Sequence, residues 1–588
     1  MKGIVPDMRA TVPDRSPASE DLPATIIESL EATAAATPDS PALQAFGSNR
    51  VITWSEYVRR SRALAHDLAA FGLTHGDVVA FLLTNRPEFH LIGVAAVRLG
   101  CVTLSLYHTA TPREMGFQQA DSGARVVATE RRFLAAIEPL AAEYAVELLV
   151  IDDPDRPQPL PALTADIAAD VEGPKAEIDP DDVICLLYTS GTTGPPKAVE
   201  VTHRGTLAMV RGVNTLVPPP EAVRRISYLP AAHIAERGYA HYAHIEGGGL
   251  VTTLDDMALL PEALAMVSPT NLLSVPRVWE KLKAAIEASI ADTPSAGRSV
   301  STAMDRVRRL QRGEAAPGES DAASDEAEAN VWRPLRERFG LADLRWAVTG
   351  AAPCAPELIE FFNAIGVPLV ETWGMSETSG IAAINPPARN KIGTAGPPIP
   401  GLEAKLAGDS ELLVRGPTVV TGYRKDLART ADAFTEDGWL RTGDLAVIDA
   451  DGYVRLIGRK KELIINAAGK NISPNAIEAA VKAVTPHVAH VCVVGDGRPY
   501  LVALVVPAPD AAAQIAPAAL RAAIQAAIEH ANRGLARVEQ IKQFALVSDA
   551  WPPGGEYVTP GAQKLRRTQI AHDYAATIDA LYAKPGTP

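Results

Sequence analysis

The chain has 588 residues and a mass of 62.2 kDa, which at about 150 residues per unit predicts three or four core-sized pieces. With 47% hydrophobic and 21% charged residues it has a globular composition, not a disordered one. The 56 Lys and Arg against 70 Asp and Glu leave a formal net charge of −14, which argues against nonspecific attraction to nucleic acid or an anionic membrane. An anionic ligand must then be held by backbone amides and a few placed cations.

Cys101, Cys185, Cys354 and Cys492 lie far apart, with neither a metal spacing nor a disulfide framework, so a reducing, cytoplasmic location is expected. No uninterrupted apolar run reaches the roughly 18 residues of a membrane span. The most apolar early stretch, Leu91–Leu106, is broken by Arg98.

Residues 1–24 are expected to be a loose leader, rich in Pro, Asp, Ser and Arg without periodicity. From Thr25 onward helices and short apolar strands alternate. Ser55–Phe71 reads as helix, and Val78–Leu83 and Val126–Thr129 read as strands, which predicts an α/β unit with a largely parallel sheet. Arg312–Asn330, with Glu314, Glu319, Asp321, Asp325, Glu326 and Glu328, is expected to be a solvated, mobile loop. Leu412–Arg415 and Leu445–Ile448 read as strands of a smaller β-rich region. After a boundary at 458/459 the chain reads as a compact α+β unit over 459–588. Ile477–Val484 and Ala518–Ala531 are expected there as helices, and His490–Val494 and Leu501–Val506 as strands.

The strongest local signal is the apolar run Val183–Tyr188 followed by Thr189, Ser190, Gly191, Thr192, Thr193, Gly194, Pro195, Pro196 and Lys197. Glycines let backbone N–H groups approach an anion, hydroxyls donate further hydrogen bonds, and lysine supplies a point charge. The composition suits polyphosphate, although the spacing is not that of a Walker A loop.

This segment resembles the phosphate-binding signature of the adenylate-forming superfamily, which includes acyl-CoA synthetases, luciferases and peptide-synthetase adenylation domains. Four further stretches resemble its later signatures in order: Trp373–Thr378, Asp437–Asp444, Gly458–Glu462 and Gly561–Arg567. Together they span roughly residues 25–570. The resemblance implies a large, multi-subdomain α/β N-terminal domain over 25–458. A smaller, mobile α+β C-terminal domain follows over 459–588, with its hinge near Lys461.

It also implies roles. Thr189–Gly194 and Lys197 would cradle ATP phosphates, Gly350, Ala351 and Ala352 would line the nucleotide site, and Trp373 and Gly374 would face the adenine. Ser376 would donate to the α-phosphate. Thr193 and Glu377 would hold Mg²⁺, a hard cation suited to oxygen ligands. Asp444 and Arg459 would contact ribose. Lys564 would bridge carboxylate and phosphate in the transition state, as electrostatic stabilisation of an in-line displacement. Domain rotation about Lys461 would then exchange Lys564 for the loop Ala468–Asn471.

Ser227–Arg237 resembles the long-chain acyl-CoA synthetase version of the acyl-pocket motif, with His233 beside the substrate carboxylate. Small residues around His233 leave room for an alkyl chain, whose burial yields about 0.8 kcal/mol per CH₂. His233, His241 and His244 lack a recognisable zinc spacing and read as core or pocket residues. Ala198 stands where the family usually has glycine, and Trp373 where it more often has tyrosine. The expectation is an ATP-dependent fatty acyl-CoA synthetase using ATP, Mg²⁺ and coenzyme A, with transient membrane contact left open. Three alternatives stay open: a fatty acyl-AMP ligase serving a carrier protein, a CoA ligase for another apolar acid, and a silent acyl- or nucleotide-binding protein.

Overall fold

Val78–Leu82 is an unbroken apolar run, and in the computed structural model it is an interior strand with every residue buried. The structure describes residues 22–189, 196–291, 294–314, 326–467, 470–559 and 564–583, without the side chains of 294–296. Most of the expected leader and the turn residues Ser190–Gly194 therefore lie outside the described residues, as do Ala468 and Gly469.

The run belongs to a six-stranded sheet in the spatial order Glu147–Val150, Ala124–Thr129, Val78–Leu82, Val102–Ser105, Val183–Thr189 and Lys197–Thr202. The first five strands are parallel, which requires helical crossovers and burial of both faces. The sixth pairs antiparallel, with Thr189 opposite Lys197. In sequence, the expected phosphate segment lies between these two strands. Covering helices start at side-chain caps: Thr53 accepts from the Glu56 amide ahead of Trp54–Ala69, and Thr111 and Glu114 form a reciprocal capping box ahead of Pro112–Ser122.

Two four-stranded sheets follow. One holds Val51–Thr53, Pro41–Ala45, Leu250–Thr253 and Arg224–Ser227; the other holds Asn271–Ser274, Trp346–Thr349, Leu369–Met375 and Gly380–Ile384. They meet where the Arg224 amide donates to Thr270 Oγ1 at 2.9 Å and the Thr270 amide donates to the Arg224 carbonyl at 3.0 Å. A fourth, antiparallel sheet of Glu403–Leu406, Glu411–Arg415, Leu440–Ile448 and Val454–Arg459 sets Asp444 opposite Arg459.

Most buried apolar residues from Ile26 to Val454 form one core, while Val78, Ala80, Leu82, Leu104 and Leu186 pack a second cluster on the other face of the first sheet. Separate clusters begin at Ile464, where Ile477, Val481, Ile524, Ile528 and Phe544 pack around the strands Val488–Val494, Leu501–Pro507 and Ile541–Leu546. Helices Pro474–Ala483 and Pro517–Arg533 contribute those apolar faces. Arg566 Nη2 reaches across to Glu114 Oε1 at 3.0 Å, joining the C-terminal segment to the first sheet's helical layer.

The acidic stretch differs from expectation at its end. Glu328–Trp332 is a π-helical turn leading into the helix Arg333–Arg338, because Trp332 is buried and Arg336 pairs with Glu328. The segment 315–325 lies outside the described residues. No described helix is long and apolar enough to cross a membrane.

Candidate active site

The Lys197 side chain leaves the strand Lys197–Thr202 and places Nζ 2.6 Å from Glu377 Oε1 and 2.5 Å from the Tyr423 hydroxyl. Tyr423 donates to the same carboxylate oxygen at 3.0 Å, and the lysine nitrogen lies 4.2 Å from the tyrosine ring centroid. Glu377 is buried. Burial opposes its ionisation, but the Lys197 charge and hydrogen bonds hold the carboxyl below the usual range. Burial and the Glu377 charge push the Tyr423 phenol up, so it remains a donor.

Glu377 sits in a 3₁₀ turn after the strand Leu369–Met375, which doubles back into Gly380–Ile384. The reversal is so tight that a Cβ on Gly374 would lie 1.9 Å from the Gly380 carbonyl oxygen. Ser376 opens the same turn and lines the cleft.

On the opposite wall Trp373 Nε1 donates to Asp444 Oδ2 at 2.9 Å, and Arg459 Nε lies 2.9 Å from Asp444 Oδ1. The cross-strand register of Leu440–Ile448 and Val454–Arg459 puts that pair together. Burial pushes the Asp444 carboxyl up in spite of both partners. Glu411 accepts from the Gly443 amide at 3.0 Å, bracing the turn that carries Asp444. Ala351 holds a left-handed φ of 64° between Gly350 and Ala352, shaping an exposed loop at the cleft mouth.

Lys564 is tied to Thr559, whose amide donates to the Lys564 carbonyl and whose Oγ1 accepts from the Lys564 amide, each at 2.9 Å. It lines the same cleft and keeps exposed surface there. The surrounding protein and then the Arg459 charge lower its pKa, while Glu462, Asp444 and Glu377 counter them. Lys461 lies in the 3₁₀ turn Lys460–Glu462 immediately after Arg459 and is exposed. Neighbouring Lys460 pairs with Asp409 and Glu411.

His233 caps the short helix Ile234–Glu236, its Nδ1 accepting from the Ala235 amide at 3.1 Å. That contact leaves the proton on Nε2. Burial and the Lys564 charge lower its pKa to about 4, so the ring is neutral near pH 7. The loop before it is fixed from below. Arg237, fully buried, donates to the Ala231 carbonyl at 2.9 Å, Thr103 Oγ1 at 2.9 Å and Ser105 Oγ at 2.7 Å. Glu236 accepts from Ser227 Oγ at 2.5 Å, and burial lifts its carboxyl to about 8. His241 and His244 lie in the core away from the cleft, His241 against His90 and His244 against the Trp54 ring.

These groups converge on one cleft of about 2770 Å³, lined among others by Thr189, Lys197, His233, Ala351, Ala352, Trp373, Gly374, Ser376, Glu377, Asp444, Arg459 and Lys564. Gly350, just beneath Ala351, packs against Thr372, where a Cβ would fall 2.7 Å from Cγ2. Thr193 lies outside the described residues. Behind Ile234 a second, apolar cavity of about 50 Å³ runs between the helix His203–Leu216 and the strands Asn271–Ser274, Trp346–Thr349 and Gly380–Ile384. Among the described residues no group of three His, Cys, Asp or Glu could hold a metal ion. A single buried carboxylate nevertheless suits Mg²⁺, which is commonly bound by one or two carboxylates together with substrate phosphates.

Sequence reasoning missed Tyr423 and Glu411. Tyr423 is 226 residues from Lys197 and 46 from Glu377, and no local composition marks it as part of the site.

Comparison with known proteins agrees with this geometry. The chain is 44% identical over 439 residues to a Mycobacterium tuberculosis protein named fatty-acid–CoA ligase FadD11, covering 71% of this chain and 77% of that one. It is 33% identical over 562 residues to long-chain-fatty-acid–CoA ligase FadD15 of Mycobacterium bovis, covering 91% and 92%. Its fold matches the adenylation domain of a carboxylate reductase from Mycobacterium chelonae with a TM-score of 0.75 at 24% identity, covering 96% and 92%. The model of the AMP-binding enzyme C-terminal domain matches residues 461–585. That of the AMP-binding enzyme itself matches residues 30–424, well over half of the sequence, and the chain therefore belongs to the AMP-binding enzyme family.

Proposed function

We propose that the protein is an ATP-dependent fatty acyl-CoA synthetase of the cytoplasm, forming acyl-CoA, AMP and pyrophosphate through an acyl-adenylate. One observation carries this reading. A cationic and acidic nucleotide cleft, with Lys564 turned into it, backs directly onto an apolar cavity across Ile234. The named ligases at 44% and 33% identity supply the acid and thiol classes, and four unpaired cysteines fit a reducing compartment.

In the first half-reaction a fatty carboxylate attacks the α-phosphorus of ATP, and the bond to the bridging oxygen of pyrophosphate breaks. Thr189 and the turn Ser190–Gly194 hold the phosphates, with Lys197 as their fixed cation. Glu377 and Thr193 would hold Mg²⁺ together with ATP, where it would neutralise phosphate charge. Glu377 forms a 2.6 Å ion pair with Lys197 in the present arrangement. Trp373 presents an indole face to adenine beside the Ala351–Ala352 loop, with Gly350 and Gly374 letting the backbone approach. Ser376 donates to the α-phosphate, and Asp444 with Arg459 receives the ribose hydroxyls.

The neutral His233 donates from Nε2 at the substrate carboxylate, whose alkyl tail runs toward Ile234; the apolar cavity behind it, at about 50 Å³, takes the first few methylenes in the present arrangement. Lys564 places its ammonium where charge builds on the carboxylate and phosphate oxygens. In the second half-reaction the C-terminal domain, 459–588, turns about Lys461, withdraws Lys564 and admits the thiol of CoA. The thiol attacks the acyl carbonyl and AMP leaves. Positioning supplies most of that step, because the mixed anhydride is already electrophilic.

The test is fatty-acid-dependent exchange of pyrophosphate into ATP. Wild-type protein is expected to exchange, and Lys564→Ala to lose about 10²–10³-fold of the rate, as for removal of one preorganised donor. Absence of exchange with every acid tried would overturn the reading in favour of a binding protein.

A further inference from the structure

The cavity behind Ile234 is apolar along its length, with Met209, Val210, Val213, Leu273, Val348 and Ile381 among its walls. Arg225 and Trp346 also line it. Arg225 is 3% exposed, and its Nε has no hydrogen-bond partner; the guanidinium's one hydrogen bond runs from Nη1 to the Gly248 carbonyl at a long 3.3 Å. The Tyr239 ring lies 5.8 Å from its central carbon. No carboxylate pairs with it among the described residues.

Two more orphaned donors stand beside it. Trp346 Nε1 is buried without a partner, and so is Asn271 Nδ2. Asn271 and Trp346 face each other in register on adjacent strands. Asn271 reaches the cavity wall through Tyr239, whose hydroxyl donates to the Asn271 carbonyl at 2.7 Å. Arg224, one residue before Arg225, ties its own strand to Thr270, one residue before Asn271. Arg225 and Trp346 thus line the same cavity, and sheet register sets Asn271 next to Trp346.

All three are donors, and none can accept. A buried donor without an acceptor costs free energy, and a buried cation without a counter-ion costs more. The cluster is thus complementary to an acceptor oxygen, best of all an anionic one. It sits on an otherwise dry cavity that the reading above assigns to the acyl chain, and on that reading the present inference rests. From the juxtaposition of Arg225 and Trp346 on the acyl cavity, with Asn271 next to Trp346 in the sheet, we infer that the enzyme selects acids whose chain carries a second carboxylate, or failing that a hydroxyl, at its far end. The guanidinium recognises the distal oxygen as Arg ordinarily recognises carboxylate, while the apolar walls hold the methylenes between the two ends. An unsubstituted alkyl terminus leaves the donors unpaired, which is how polar pockets reject apolar analogues.

The experiment measures binding and turnover together. Monocarboxylic, ω-hydroxy and α,ω-dicarboxylic acids of matched length are compared over a ladder of lengths, by equilibrium dialysis against the full-length protein and by kcat/KM with ATP, Mg²⁺ and CoA. The wild type is expected to favour the diacid over the plain acid by about 10- to 100-fold at its best length, the range for a hydrogen-bonded charged group. Arg225→Met should erase that preference, bringing the diacid-to-plain-acid ratio to one or below. Arg225→Lys should retain part of it, and Trp346→Phe, which keeps the ring and removes its N–H, should weaken it. If Arg225→Met fails to fold, as judged by circular dichroism and AMP binding, Trp346→Phe and the wild-type ladder decide. Equal preference for plain and ω-oxidised acids in the wild type, or a preference unchanged in the variants, overturns the inference and leaves trapped water as the partner of these donors. Selective binding of diacids without turnover of any acid would sustain the inference while overturning the synthetase reading.

Discussion

Trp373 does two jobs, of which a phenylalanine could do only one. Its indole forms part of the cleft wall, and its N–H fixes Asp444 at 2.9 Å while Arg459 holds the other carboxylate oxygen. Asp444 is thereby held from two sides, which under the proposed function orients it for the ribose. Trp373→Phe keeps an aromatic face and removes that donor, so KM for ATP is predicted to rise by about tenfold with kcat little changed. Initial-rate kinetics at saturating fatty acid check this; an equal fall in kcat instead would mean that Asp444 acts in the transition state. Thr189 and Lys197 were legible in the sequence because a hydroxyl, glycine and lysine cluster advertises anion binding locally, whereas Trp373, Glu377, Asp444, Arg459 and Lys564 were expected only from the resemblance, and all of them line one cleft. Tyr423 was not, since its contribution arises only where strands distant in sequence converge on Lys197. Arg225 was silent for a related reason: one arginine in an Arg-Arg pair gives no sign of being 3% exposed.

At the scale of elements, the apolar runs translated directly into strands, with ends displaced by a few residues. Val78–Leu82 and Leu501–Pro507 are buried nearly end to end, which is what a continuous apolar run demands. The strand read as Leu445–Ile448 begins at Leu440 instead, since Leu440 and Thr442 are buried against Glu411–Arg415, and Thr442 donates to the Leu412 carbonyl at 2.7 Å. Pairing between strands was not legible, and so neither was the opposition of Asp444 and Arg459. The contact of Arg566 with Glu114 likewise depends on how the C-terminal segment docks. It ties down the backbone two residues after Lys564, so Arg566→Glu is predicted to slow adenylation by up to about fivefold, the limit for a partly exposed ion pair. Adding Glu114→Arg should restore the rate. Conversion of a supplied acyl-adenylate to thioester should be unaffected by either change. Failure of the double variant to recover in pyrophosphate exchange would show that the pair does not support this arrangement.

Over the whole molecule, burial of titratable groups sets a pH optimum for stability. Burial lowers the pKa of His90 to about 3 and of His203, His233 and His490 to about 4, from an ordinary 6.5, and holds His241 and His244 well below it. Between about pH 4 and 6.5 the unfolded chain binds protons that the folded chain refuses, so stability rises with pH. Glu236 and Glu371 act oppositely: burial lifts each from 4.5 to about 8, and the folded chain keeps protons that the unfolded chain releases. The six histidines outweigh the two carboxyls below 6.5, and above it only the carboxyls act. The Tm is therefore predicted to climb from pH 5, peak near 6.5 and decline toward 8. A Tm that keeps rising from 6.5 to 8 in calorimetry would mean that Glu236 and Glu371 are ionised in the folded protein. Composition alone already fixed the class of molecule, because a chain this acidic and this apolar must fold around its own cores. It could not reveal that histidines enter them.

The measurement that bears most directly on the whole account is product analysis with ATP, Mg²⁺ and a ladder of fatty acids, run with and without CoA. The account predicts acid-dependent release of pyrophosphate in both cases and acyl-CoA plus AMP only when CoA is present. Acyl-adenylate that accumulates and never passes to CoA would contradict it and direct the search to a carrier-protein acceptor.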